Sequence, residues 1–305
     1  MENQNDHSES DTTRERSEQL KYDNMAYNIL LVFERRRMRV YNSNTFTNVV
    51  REGDKLNVET VLLSTDEEAA TWICCDVRNL VVEKGFFEIY NSPKDMNVFG
   101  ELTALVGTQA YLGNGVAIRE ALANGAPEIA KKLVLESIRA VVQAETFLIS
   151  ERGYTSKDAY DHFWEESYAG SCLFYSKSNQ VETWINYVGA HERRHNLNSR
   201  IQNVAIYKDD TGYQILLAFV ESFHEISMRL NVRLDGIVTE VSSDFVRAPG
   251  NICKESAHLV SGLIGYALHE IDKRKIASIV GGSIGCVHLT DLIDRAKDAL
   301  RRCIT

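Results

Sequence analysis

The chain has 305 residues, 44% of them hydrophobic and 25% charged, which is the composition of a globular protein with one large domain or two smaller ones. With 34 Lys and Arg against 43 Asp and Glu, the formal net charge is −9, and the basic stripe typical of a nucleic-acid-binding protein is missing. No apolar stretch reaches the length of a transmembrane helix and the N-terminus lacks the pattern of a signal peptide, so we expect neither membrane insertion nor secretion.

The first half of the chain predicts a tail, then strands, then helices. Residues 1–25 hold seven acidic and three basic side chains and almost no apolar ones, which predicts a disordered tail. Runs rich in β-branched and aromatic residues predict strands at Tyr27–Phe33, Phe46–Arg51, Leu56–Leu63, Trp72–Val82 and Phe86–Tyr90. The residues Glu83-Lys84-Gly85 predict a hairpin turn between the last two. Apolar residues at three- and four-residue spacing predict helices at Glu101–Gly107, Val116–Asn124 and Pro127–Phe147.

The second half repeats this order after a connecting helix. Residues 156–169 predict that helix, with Ser156 as its N-cap. The predicted strands that follow are Val204–Tyr207, Gln214–Val220, Ile226–Val232 and Ile237–Ser242. The predicted helices are Ala257–Leu268, Asp272–Val280 and Leu289–Arg302.

Short matches in the same order link the two halves. Leu105-Val106-Gly107 corresponds to Leu263-Ile264-Gly265, and Arg78 and Gly85 correspond to Arg229 and Gly236 at one shared offset. We therefore predict an α+β fold made by internal duplication of two small units, each an antiparallel sheet with helices on one face, packed together. The predicted boundaries are residues 1–25 for the tail, 26–150 for the first unit, 151–185 for a helical linker and 186–305 for the second unit.

One short motif has the form of a zinc-protease signature. Residues 191–195 read His-Glu-Arg-Arg-His, which on a helix would place two histidines on one face to bind zinc. The residues Asn196-Leu197-Asn198 that follow interrupt such a helix, and the same Glu34-Arg35-Arg36 occurs earlier without flanking histidines. We therefore do not predict a metalloprotease.

The candidate site lies in the second half. His224, Cys253, Cys286 and His288 each stand at the boundary of a predicted strand or helix. Thiolate and imidazole groups are ligands of zinc and iron, and four of them complete a tetrahedral site. The alternative is that the thiols are buried and the histidines pack or cap, which is the commoner role of such residues. Cys172 and Cys303 have no Cys or His neighbours in the sequence and are interpreted as incidental.

Four short motifs carry a resemblance to a known family. They are His224-Glu225-Ile226, Pro249-Gly250-Asn251-Ile252-Cys253, Leu263-Ile264-Gly265 and, most specific, Gly285-Cys286-Val287-His288-Leu289-Thr290-Asp291-Leu292-Ile293. In this order they resemble an uncharacterised bacterial domain-of-unknown-function family over residues 195–300. The resemblance implies no activity.

A more distant similarity is to the U-type iron–sulfur scaffold proteins. Cys253 and Cys286 match the second and third cysteines of that family, whereas its first motif occurs only in the other half, as Cys74-Cys75-Asp76-Val77. The resemblance implies a fold that brings the turn at Cys253 and the start of the last helix together. Adjacent residues on a strand point to opposite faces, so Cys74 and Cys75 are not expected to bind one metal ion together.

These observations favour a cytoplasmic metal-binding protein. Zinc, iron or an iron–sulfur cluster would be held by His224, Cys253, Cys286 and His288, and a catalytic role stays open. Six cysteines in a chain of this length predict reduced thiols rather than a disulfide framework. The alternative is a metal-free enzyme or accessory module that binds a small organic ligand or a protein partner in the cleft between the two units.

Overall fold

A nine-stranded sheet forms the centre of the structure. The computed structural model describes residues 37–123, 125–177, 182–189 and 192–304. The strands in this part of the chain are β1 (Met38–Glu52), β2 (Lys55–Ser64), β3 (Glu68–Asp76), β4 (Val82–Asn91), β5 (Met96–Glu101), β6 (Asn196–Asp209), β7 (Gly212–Glu221), β8 (Glu225–Arg233) and β9 (Val238–Arg247). Their order across the sheet is β5-β4-β3-β2-β1-β6-β7-β8-β9.

Helices follow the strands in each half and also fill the segment between the halves. The α-helices are α1 (Gly115–Ala123), α2 (Glu128–Ala144), α3 (Lys157–Tyr168), α4 (Leu173–Ser176), α5 (Trp184–Val188), α6 (Asn251–Glu255), α7 (Lys273–Val280) and α8 (Val287–Arg301). Short 3₁₀ helices lie at Thr103–Leu105, Leu112–Asn114, Glu145–Phe147, Ser256–Leu263 and Gly282–Ile284.

The longest helices, α2 and α8, lie side by side on one face of the sheet. In β2, which lies beneath α2, the alternate residues Leu56, Val58, Thr60 and Leu62 are buried. An ion pair of 3.0 Å between Lys132 of α2 and Asp298 of α8 joins the two helices. Apolar side chains between the sheet and the helices form two cores, one under α2 and one under α8. Aromatic residues of the segment between the halves contribute to a third core.

The two halves share one continuous antiparallel sheet, so the prediction of two separate small sheets is wrong. Strands β1 and β6 join them. Ser199 donates to Asn48 Oδ1 at 2.8 Å, and Asn203 donates to Asn44 Oδ1 at 2.8 Å. Both strands are longer than the sequence predicts. The polar residues that make these contacts lack the alternating apolar pattern on which strand prediction depends.

The turn between β3 and β4 lies earlier than predicted. Glu83, Lys84 and Gly85 are within β4, and the chain turns at residues 77–81 instead. The Asp76 side chain accepts the backbone N–H of Arg78 at 2.8 Å, and Leu80 adopts a positive φ of 57°. Asp side chains favour such turns by bonding to the backbone two residues on. The sequence matches of Arg78 with Arg229 and of Gly85 with Gly236 are therefore wrong, since the members of each pair occupy different positions in their halves.

Most predicted helices are confirmed, with two exceptions. Ser156 caps α3 as predicted, accepting the backbone N–H of Ala159 at 3.0 Å. The predicted helices at Glu101–Gly107 and Ala257–Leu268 are instead a strand end with a 3₁₀ turn and the 3₁₀ helix Ser256–Leu263. Gly107 and Gly265, with φ of 85° and 88°, stop both segments in a conformation that favours glycine.

The predicted tail and the predicted strand Tyr27–Phe33 lie outside the described residues, and the unit boundaries stay predictions. Within the described ranges, no helix combines the length and the apolar character needed to cross a membrane.

Candidate functional site

A cavity of about 140 Å³ lies where α2, the segment between the halves and the second half meet. His224, Cys253, Cys286 and His288 all line it. The four residues therefore converge on one cavity, although they are spread over 65 positions of the sequence, from 224 to 288. They come from the turn between β7 and β8, from α6 and from the start of α8.

Aromatic side chains form one wall of the cavity. They are Trp164, Tyr168, Phe174, Tyr175 and Trp184. Trp164 stacks on Tyr168 with ring centroids 4.3 Å apart, and Phe174 meets Tyr175 edge to face at 5.1 Å. Such packed rings form a rigid apolar surface, which is what binding pockets for organic molecules commonly present.

The start of α8 places a thiol beside an imidazole. Cys286 is the N-cap residue of the helix, and its sulfur lies 3.7 Å from His288 Nδ1. The backbone N–H of Leu173 donates to the carbonyl of Gly285 at 2.8 Å, which fixes the segment between the halves against this helix start. The cavity is therefore closed on one side by a segment distant in sequence from Cys286.

The ring of His288 is held between two other rings. Phe219 stacks on it at 4.8 Å, and His224 lies on it with ring centroids 4.3 Å apart. His224 Nδ1 in turn hydrogen-bonds to the carboxylate of Glu221. Burial lowers the pKa of His288 well below the usual value, and the neighbouring His224 and Arg200 lower it further. His288 is consequently a neutral imidazole near pH 7.

The cavity thiols are protonated near neutral pH. Burial raises the pKa of Cys286 to about 12, although the backbone N–H groups of Leu289 and His288 oppose the shift. Burial likewise raises the pKa of Cys253 to about 11 and also raises that of Cys172. A nearby base is therefore needed before any of them reacts as a thiolate.

Cys172 also lines the cavity, a position that the sequence did not indicate. It lines the same wall as Cys253 and Cys286. Nothing near it in the sequence signals this, because the contact depends on the hydrogen bond between Leu173 and Gly285. Cys303, in contrast, is not among the residues that line the cavity.

Charged residues that the sequence did not indicate lie at the other end of the cavity. Arg139, Arg200 and Asp291 line it, and Arg200 lies over the ring of Phe219 at 4.5 Å. Behind them Glu136 is 3% exposed and pairs with Arg139, with Arg200 at 3.1 Å and with Arg295 at 3.1 Å. Burial alone would raise the pKa of Glu136, but the three guanidinium groups hold it well below its usual range. This network joins α2, β6 and α8.

Two buried polar atoms around the cavity lack a hydrogen-bond partner among the described residues. They are Nε1 of Trp164 and Oε2 of Glu221. Trp164 is 6% exposed and lines the cavity, whereas the indole N–H of its neighbour Trp184 is satisfied by Thr146 at 3.0 Å. Leaving a buried donor unpaired costs about 1–3 kcal/mol.

A larger groove of about 780 Å³ runs along α2 and α8. Its charged side chains are largely engaged with one another, as in the pairs Lys273–Asp291 at 2.8 Å and Arg302–Glu67 at 2.7 Å. The groove is larger than the cavity, but its charged side chains already pair with one another at the surface. The smaller cavity, with its aromatic wall, is therefore the better candidate site.

The other sequence motifs lie away from the cavity. Cys75 is buried in the core under α2, Cys74 lies on the opposite face of β3, and Asp76 forms the turn described above. Residues 192–195 are not helical, and β6 begins at Asn196, as expected for a motif that is not a zinc-binding helix. His191 lies outside the described residues.

One comparison with known proteins finds a match. Residues 184–302 match the model of a family described as "Protein of unknown function (DUF2889)". This confirms the resemblance of the C-terminal half to a domain-of-unknown-function family, while the similarity to iron–sulfur scaffold proteins stays a prediction. The matched segment includes all four predicted site residues, but Arg139, Trp164 and Cys172 of the cavity wall lie outside it. No curated protein matches the chain.

The predicted metal site has no further support from the geometry. Across the described ranges, no group of three or more His, Cys, Asp or Glu side chains is placed to hold a metal ion. The zinc or iron site therefore stays a prediction from the sequence.

Proposed function

We propose that this protein binds a small organic molecule with one compact apolar group, such as an aromatic ring, in the cavity between its two halves. The cavity itself carries the proposal. A volume of about 140 Å³ is close to the roughly 150 Å³ of an apolar cavity that accepts benzene. Its wall of five aromatic rings suits a flat apolar group, and Arg139 and Arg200, which also line it, suit a carbonyl or carboxylate oxygen on that group.

A titration with benzamide tests this proposal, because benzamide combines a ring with a carbonyl. Trp164 and Trp184 line the cavity, whereas Trp72 stacks on Phe86 in the first half. In a Trp72→Phe variant the fluorescence therefore reports the cavity alone. We expect a saturable change with a dissociation constant on the order of 1 mM or below, as befits a ligand of this size.

Two matched substitutions locate the binding. Cys172→Phe puts a ring into the cavity wall and should weaken benzamide binding at least about tenfold, or about 1.4 kcal/mol. Cys303→Phe changes another partly buried cysteine outside the cavity and should leave binding unchanged. A signal that does not saturate, or that both variants weaken equally, would contradict the proposal.

Metal binding is the competing prediction, and elemental analysis decides it. If the cavity binds an organic molecule, we expect protein purified without oxygen to contain less than about 0.1 zinc or iron atoms per chain. One zinc or iron per chain that is lost in Cys286→Ser would contradict the organic ligand and favour a metal site, because the Cys286 thiolate would then be a metal ligand. All six cysteines have free thiols, which supports the further proposal that the protein works in the cytoplasm.

The internal duplication is also a proposal, and it is supported by parallel details of the two halves. From the β1–β6 pair outward, β2, β3 and β4 follow β1 in chain order, as β7, β8 and β9 follow β6, and only β5 has no counterpart. Isolated bridges join Val81 to Gln109 and Ile237 to Ala267, each just after a turn. A superposition of residues 38–144 on 196–301 tests it, and different paths of the strands through the two halves would contradict a common origin.

A further inference from the structure

The contact between Cys286 and His288 has a geometry that binding alone does not require. A buried thiol and a partly buried imidazole nitrogen lie 3.7 Å apart among the residues that line the cavity. Of the three cavity thiols, Cys286 is the one whose sulfur contacts a histidine ring. A nucleophile and a base within reach of each other are the elements of covalent catalysis, and the distance shortens readily when a substrate binds.

We propose that Cys286 is a nucleophile and His288 its general base in the hydrolysis of a thioester of a small aromatic acid. The inference rests on the proposed function, since the aromatic ring of the acyl group occupies the same cavity. The ring lies against the aromatic wall of the cavity, which Cys286 and His288 also line. Both catalytic residues touch the reacting atoms.

The reaction proceeds in two balanced steps. In the first, the Cys286 proton moves to His288 Nδ1 while the sulfur bonds to the carbonyl carbon. The bond from that carbon to the leaving sulfur breaks, and His288 returns the proton to the leaving thiolate. In the second, His288 removes a proton from water, which attacks the acyl-cysteine. The bond from the acyl carbon to the Cys286 sulfur breaks, His288 returns the proton to that sulfur, and the free acid leaves without any oxidant or reductant.

The surroundings of the pair suit this chemistry. The Cys286 sulfur and His288 Nδ1 are close enough for a proton to pass between them once a substrate draws them together. Phe219 on one side and His224 on the other hold the imidazole ring in place. Cys286 is the N-cap residue of α8, so its sulfur lies at the N-terminus of a helix, where negative charge is favoured.

The S-ethyl thioester of benzoic acid is the probe that tests the proposal. The full chain is incubated with it, stopped in acid, digested and analysed by mass spectrometry. We expect one benzoyl group, on Cys286, with benzoate released over many turnovers. His288→Gln should slow benzoylation by about 10²-fold or more, which is the usual contribution of a general base. Cys303→Ser serves as the control and should leave the rate unchanged.

The outcomes separate the two proposals. Benzoylation of Cys172, Cys253 or Cys303 in place of Cys286 overturns the catalytic assignment, as does an unchanged rate in a folded His288→Gln variant. Binding of benzamide without any benzoylation overturns the catalytic inference alone. A chain that neither binds benzamide nor reacts overturns the proposed function as well. Because the wild-type chain identifies the acylated residue, the test does not depend on the stability of a Cys286 variant.

Discussion

Replacing Glu136 with glutamine should destabilise the protein by about 3–5 kcal/mol, the usual cost of removing one partner from a buried ion pair. Glu136 is 3% exposed and pairs with Arg139, Arg200 and Arg295. Glutamine keeps the shape of the side chain but leaves the guanidinium groups without their shared negative charge. The measurement is urea-induced unfolding near pH 7, where ΔG of unfolding is compared with that of the wild type.

Glu59→Gln is the matched control. Glu59 is exposed on β2, and its replacement should change the free energy of unfolding by less than about 0.5 kcal/mol. A loss below about 1 kcal/mol for Glu136→Gln would show that the network contributes little to stability.

The same network predicts how stability depends on pH. The pKa of Glu136 is lower in the folded chain than in the unfolded chain, so the unfolded state binds the proton more tightly. The contribution of its charge is therefore complete above the unfolded pKa of about 4.5 and is lost as the pH falls toward the folded pKa. The stability difference between the wild type and Glu136→Gln should accordingly stay constant from pH 7 to about 5 and shrink below about pH 4.

Phe219→Ala should cost about 3–5 kcal/mol of stability and should also impair the site. Phe219 is 1% exposed, and its ring lies between the guanidinium group of Arg200 and the imidazole of His288. Its removal leaves a cavity and frees the His288 ring to move. We expect a lower urea midpoint and, in the variant that remains folded at low urea, weaker benzamide binding.

Phe46→Ala makes the same chemical change at a site that is 42% exposed on β1. It should cost less than about 1 kcal/mol, because a half-exposed ring leaves no closed cavity when it is removed. Equal losses for the two variants would contradict the central position assigned to Phe219. Unchanged benzamide binding in Phe219→Ala would show that the ring is structural only.

The spacing of apolar residues along the sequence was sufficient to predict the amphipathic helices. The apolar spacing of residues 127–147 and 289–302 predicted α2 and α8, and Ser156 predicted the start of α3. These signals are local because an amphipathic helix records its buried face every three to four residues. Polar strand residues such as Asn44 and Asn203 carry no such signal, so the joining of the two halves into one sheet was missed.

By itself, the sequence determined an acidic α+β chain whose second half carries His224, Cys253, Cys286 and His288 at the ends of its elements. Only the tertiary structure decided that these residues share a cavity with Arg139, Trp164 and Cys172. The physical reason is the distance along the chain, since Arg139 and Cys286 are 147 positions apart (286 minus 139). Contacts between residues so far apart in the sequence depend on how the helices pack on a common sheet. The spacing of apolar residues within one element does not predict that packing.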